Sequence, residues 1–157
     1  RPGARGGAAH AAGAADAAHA GAQEPFRPDR ISGRADRAGE GPLAAALREA
    51  YEEVGLDAKY VQPIGYLDLY LTFSGFRILP LVAHVDPDYA MTVNPSEVAD
   101  AFEVPLEFLM APGNHQRLKR DWNGIERQYY AMPFGERYIW GVTAGILRNL
   151  YERIYAG

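Results

Sequence analysis

The chain has 157 residues, 48% of them hydrophobic, which suits one globular domain and leaves little room for a second. Sixteen Lys and Arg against twenty Asp and Glu give a formal charge of −4, so composition offers no reason to expect a nucleic-acid partner. The absence of cysteine excludes disulfide scaffolds, Cys-ligated zinc, iron–sulfur clusters and thiol nucleophiles, and fits a reducing, cytoplasmic setting. No run of about 18 consecutive apolar residues exists, and no membrane span is expected.

In chain order, residues 1–42 come first. They hold thirteen alanines and eight of the seventeen glycines, but only two large apolar side chains, Phe26 and Ile31. Such a segment buries too little apolar surface to offset the entropy of ordering it. Residues 1–38 are therefore expected to be a low-complexity, disordered arm, with the folded domain at 39–157. A secretory signal is not expected, because scattered alanines are no substitute for a Leu-type apolar core.

From Leu43 the chain becomes rich in Leu, Val, Ile, Phe and Tyr. Leu43, Leu47, Ala50 and Val54 recur at helical spacing, Pro42 suits the first turn, and Gly55 suits the left-handed stop. Residues 59–71 and 76–85 are two β-forming runs joined through Thr72–Gly75, one of them expected to be heavily buried. Pro80 marks an edge or bulge, and Asp86-Pro87-Asp88 a turn. Pro105 breaks any long helix between Val98 and Leu109. Residues 111–124 read as a polar loop and Ile125–Tyr130 as a short strand. A last helix is expected from about Trp140 to Tyr155, with Val142, Ile146, Leu150 and Ile154 on its apolar stripe. His84 is expected in or beside a strand and His115 on the surface.

The residues that carry chemistry lie in the first helix. Glu49, Glu52 and Glu53 fall at i, i+3 and i+4, at about 200°, 140° and 240° around the helix from Leu47, and so opposite its apolar stripe. Three like charges repel, and a divalent cation would reverse that cost. All-oxygen donors suit Mg²⁺ or Mn²⁺ better than zinc. Arg48, four residues before Glu52, can orient that carboxylate. Spacing alone favours a solvated acidic face, which is common on surface helices.

The wider pattern discriminates. Arg48-Glu49-Ala50-Tyr51-Glu52-Glu53-Val54-Gly55-Leu56 resembles the R-E-U-x-E-E-x-G-U half of the Nudix box, U being aliphatic, and Glu40 falls where that box has its first glutamate. Asn94-Pro95-Ser96-Glu97-Val98, running on to Phe102 and Val104-Pro105-Leu106, is similar to the N-x-x-E-V-x-x-x-F-x-V-P-L segment of the coenzyme A pyrophosphatase branch. Trp140-Gly141-Val142-Thr143-Ala144-Gly145-Ile146-Leu147 is similar to that branch's C-terminal helix. The resemblance covers about residues 40–155. Upstream it departs: Arg34 stands where the box has glycine, and the F-P-G-G and H-x-G-Q segments are absent. Ala-, Gly- and Arg-rich sequence before an abrupt onset near Gly39 is what an out-of-frame reading of GC-rich DNA produces. Resequencing around codon 39 tests that.

The resemblance implies an α+β fold, the Nudix α/β/α sandwich with a mixed sheet, here with incomplete N-terminal strands and hence marginal stability. It implies a hydrolase that cleaves a pyrophosphate bridge with Mg²⁺ or Mn²⁺. Glu52 and Glu53 would be metal ligands, Glu49 a ligand or general base, Glu40 an outer ligand, and Glu97 the distant carboxylate that completes the site or acts as base. The branch implies coenzyme A or its esters as substrate, with 3′,5′-ADP and 4′-phosphopantetheine as products, and a monomer or homodimer. Arg117, Lys119, Arg120 and Arg127, near Trp122, Tyr129 and Tyr130, are candidates to face phosphates and an adenine. Hydrolysis of another nucleoside diphosphate derivative such as ADP-ribose, and a non-catalytic Nudix-like module, are the competing readings.

Overall fold

The computed structural model describes residues 8–11 and 39–156. They belong to two compact units, one within residues 12–101 and one combining residues 1–11 with 102–157.

In the first unit the glutamate-bearing segment forms helix α1, Pro42–Val54. Proline occupies its first turn, where a missing N–H is harmless. Gly55 ends it with φ +71°, its N–H bonded to the carbonyls of Ala50 and Tyr51. Val54 and Leu56 are buried, whereas Leu43 at the other end of the expected stripe is exposed.

The β-forming runs give four strands: β2 (Val61–Tyr66), β3 (Tyr70–Leu71), β4 (Arg77–Ile78) and β5 (Leu81–Val85). β2 pairs antiparallel with β5, with a register shift between Pro63 and Gly65, and β3 pairs antiparallel with β4 across the Thr72–Gly75 turn. Pro80 splits the second run into β4 and β5, since it has no N–H for the ladder. Its carbonyl still accepts from the Leu67 N–H at 2.9 Å. The expectation of a heavily buried strand fails. No residue of these four strands is buried, and Ile64, Tyr66, Leu69, Leu71, Phe73 and Phe76 are exposed. Apolar composition predicts strand formation here but not what covers the strand. His84 lies on β5 and is exposed.

The second unit contains strand β1 (Ala8–Ala11), which pairs antiparallel with β6 (Phe102–Pro105). The expected arm thus carries one short strand, whose pairing needs only backbone groups. The rest of the arm, Arg34 included, lies outside the described residues. Helix α2 (Leu106–Leu109) follows β6 directly.

Residues 116–122, expected to be loop, form strand β7 (Gln116–Trp122). It pairs along its whole length with β8 (Ile125–Phe134), which in turn pairs with β9 (Arg137–Trp140). Asn123 and Gly124 link β7 to β8 with φ of +55° and +78°, the two left-handed residues of a type I′ hairpin turn. Asn-Gly between two strands was the sequence signal for this hairpin. The polar character of β7 concealed it, because a strand with an open face needs no apolar alternation.

Helix α3 (Gly141–Tyr155) closes the chain. Its core-facing residues are Ala144, Leu147, Leu150 and Tyr151, packed with Val104, Leu109, Met110, Met132 and Ile139. Ile154, on the expected stripe, is exposed. A strict spacing of four drifts around a helix of 3.6 residues per turn, so its far end leaves the core. His115 is not free on the surface. Its Nε2 lies 2.7 Å from the Leu109 carbonyl, its ring packs edge-on against Tyr151, and Nδ1 lies 3.4 Å from an Arg148 nitrogen. Every strand pairing among the described residues is antiparallel. None of the described helices is long and apolar enough to cross a membrane.

Candidate active site

Arg48 lies at the centre of the acidic group. Its Nε and Nη2 donate to the Glu40 carboxylate at 3.0 and 3.1 Å, and Nη1 donates to Glu52 Oε2 at 3.1 Å. Glu49 Oε1 stands 3.8 Å from Nη2. Arg48 and Glu40 are largely shielded, with side chains 16% and 14% exposed, so their fork-to-fork pair is less screened than a surface ion pair. The hydrogen bond to Glu40 is the main cause that holds the guanidinium pKa far above its ordinary value, and Arg48 stays charged at every working pH.

The structure therefore gathers Glu40, Glu49 and Glu52 around one cation supplied by the chain itself. Among the described residues, no three carboxylate or imidazole groups converge closely enough to hold a metal as the side chains stand. The donor set nevertheless fits a hard divalent ion in kind: all oxygen, acidic, and already arranged about a positive charge. Glu53 adjoins this group on α1 and is partly buried.

The C-terminal end of α1 is fixed by a segment about forty residues downstream. The Tyr89 hydroxyl donates to the Val54 carbonyl, as does the Thr92 N–H at 3.0 Å. Asn94 donates twice, from its backbone N–H to the Glu53 carbonyl at 2.9 Å and from Nδ2 to the Glu52 carbonyl at 3.1 Å. The last carbonyls of a helix otherwise lack intrahelical partners, so these four bonds set the rotation of the turn that carries Glu52 and Glu53. Sequence reasoning missed Tyr89, Thr92 and Asn94 as parts of the site. The asparagine in the N-x-x-E-V segment was the available sign. Glu97 is exposed on the next turn, its N–H bonded to the Asn94 carbonyl at 3.0 Å. The structure thus ties the Glu97 segment to α1 through Asn94.

Two predictions follow from this attachment. A Cβ at Gly55 would come within 3.3 Å of the Thr92 Cβ and carbonyl oxygen, in a backbone conformation that L side chains disfavour. Gly55→Ala is expected to destabilise the fold by about 1–2 kcal/mol, measured as a lower urea midpoint with an unchanged slope. Burial also pushes the Tyr89 phenol up from its usual range, with the Thr92 backbone bond opposing. A raised folded pKa favours the neutral donor, so its contribution is intact below about pH 10 and is lost as pH rises beyond it. Thermal midpoints should fall in strong alkali, and fall less in Tyr89→Phe.

Residues 24–123 match the model of the NUDIX domain family. The chain belongs to the Nudix family. The match begins upstream of Gly39, where the likeness was expected to start, and extends the family relation into the Ala- and Gly-rich segment. Proteins named Uncharacterized Nudix hydrolase NudL, from Yersinia pestis (strain Pestoides F) and from Yersinia pseudotuberculosis serotype O:1b (strain IP 31758), are 33% identical over 122 residues. The alignments cover 78% of this chain and 61% of each relative. The chain thus spans about three-fifths of the length of the curated relatives it matches. The expected α+β class agrees with the Nudix assignment and with the helices and antiparallel strands described above.

Proposed function

We propose that this Nudix chain hydrolyses the pyrophosphate bond of coenzyme A or its derivatives, giving 3′,5′-ADP and 4′-phosphopantetheine or its acyl form. The observation that carries this reading is the carboxylate group of α1, centred on Arg48 and pinned at its far end by Asn94 of the segment that also carries Glu97. In this reading Glu49, Glu52 and Glu53 hold Mg²⁺ or Mn²⁺, which when bound neutralises charge on the bridging phosphates and acidifies the attacking water. Glu40 is committed to Arg48 through both oxygens and acts on the cation from outside, through Arg48 and Glu52. Glu97 or Glu49 accepts the proton of the water as its oxygen bonds to phosphorus and the bridging P–O bond breaks. The reading includes a cytoplasmic location.

A non-catalytic role has one observation in its favour, Arg34 at the place of the box glycine. Incubation with coenzyme A and Mg²⁺ or Mn²⁺ decides between the readings. Appearance of 3′,5′-ADP supports the proposal. Cleavage of ADP-ribose with coenzyme A untouched replaces the substrate. Metal binding without turnover of either compound establishes the binding module.

A further inference from the structure

Both tryptophans of the chain stand on one face of the β7–β8–β9 sheet. Directly opposed residues of an antiparallel pair share a face, and alternate residues return to it. The register opposes Arg120 to Arg127, Trp122 to Ile125, Leu118 to Tyr129, Ala131 to Trp140 and Pro133 to Tyr138. All of these lie on one side. Met132 and Ile139, which enter the core, lie on the other. Arg117 and Lys119 share that reverse side, and Lys119 is held by Glu126 at 2.7 Å. The basic residues grouped together from sequence are thus divided: Arg120 and Arg127 lie with Trp122 and Tyr129, and Arg117 and Lys119 do not.

Trp122, Tyr138 and Trp140 each leave about half of their surface open. The Arg120 guanidinium lies 5.7 Å from the Trp122 ring, and Tyr129 meets Trp140 edge-on at 6.0 Å. Two guanidinium groups placed directly opposite each other on a strand pair are spaced to donate to one phosphate from both sides. Open ring faces offer stacking to a base. Along β8 the arginine pair sits two residues, roughly 7 Å, from the aromatic groups on either side, a span that one ribose bridges. A long polyanion is disfavoured: the chain is net negative, and Asp121 opposes Glu126 on the reverse side at the hairpin end.

We propose that this face binds a nucleoside bisphosphate, with the base stacked on the aromatic side chains and one phosphate clamped between Arg120 and Arg127. This deepens the coenzyme A reading, on which the choice of ligand rests.

The test is calorimetric and fluorescence titration of the full chain with 3′,5′-ADP in EDTA, so that the carboxylate site and its metal play no part. Saturable quenching of tryptophan emission at one ligand per chain is expected. Arg120→Gln and Trp122→Leu, both at exposed positions, should each weaken binding about tenfold, with circular dichroism unchanged. Unaltered affinity in both variants, or binding without a change in tryptophan emission, overturns the proposal. So does tighter binding of a single-stranded oligoadenylate than of the bisphosphate, which would make the face a nucleic-acid surface. Binding as expected without coenzyme A hydrolysis sustains the face and removes the catalytic reading. Hydrolysis of coenzyme A by a chain that shows no saturable binding of 3′,5′-ADP in EDTA removes the face and leaves catalysis standing.

Discussion

Glu53→Gln is expected to lower metal-dependent turnover by about 10²- to 10³-fold without destabilising the metal-free fold. The two effects separate because glutamine keeps the shape and helix propensity of glutamate and removes only its charge. In α1, Glu53 lies four residues after Glu49 and beside Glu52, so its charge adds to the repulsion among these carboxylates. Its removal should raise the thermal midpoint slightly without metal. It should also shrink the stabilisation that added Mg²⁺ provides, because less negative charge remains to be neutralised. Steady-state kinetics with coenzyme A, together with melting curves at several Mg²⁺ concentrations, measure both. A variant that retains turnover, or that melts well below the parent, would show Glu53 to be structural.

How much of this was legible in the sequence follows from how local each cause is. Helix α1 and its stop were legible because Pro42, the apolar spacing and Gly55 act within a few residues of one another. Their geometry is as the spacing implies, down to the left-handed Gly55. The bonds that orient the turn carrying Glu52 and Glu53 were not legible, since Tyr89, Thr92 and Asn94 reach α1 from 35 to 42 residues away. No pattern within a helical window reports them. The β7–β8 hairpin was legible in one dipeptide, Asn123-Gly124, and was hidden by the polar residues around it. The packed position of His115 depends on the Leu109 carbonyl and on Tyr151, and becomes visible only when the chain is folded. The division of the basic residues between two faces of the hairpin is a matter of register, and register depends on where the turn is placed.

Arg48→Ala is expected to reduce activity about 10- to 100-fold, with a weaker apparent affinity for Mg²⁺. In the parent, one planar guanidinium binds Glu40 with two nitrogens and reaches Glu52 with the third. It thereby fixes where the Glu52 carboxylate points and absorbs part of the repulsion within the acidic group. Alanine removes the fork and leaves Glu40, Glu49 and Glu52 facing one another without the Arg48 charge between them. The variant should therefore become more dependent on added divalent ion for thermal stability, even as each ion is held less well. Lysine tests the geometry separately from the charge. A single ammonium cannot bind both oxygens of Glu40 while also reaching Glu52, so Arg48→Lys should recover much of the metal-free stability but little of the activity. If lysine restores both, Arg48 acts through its charge alone. If the melting temperature of the alanine variant is insensitive to Mg²⁺, the cation binds somewhere other than this group of carboxylates.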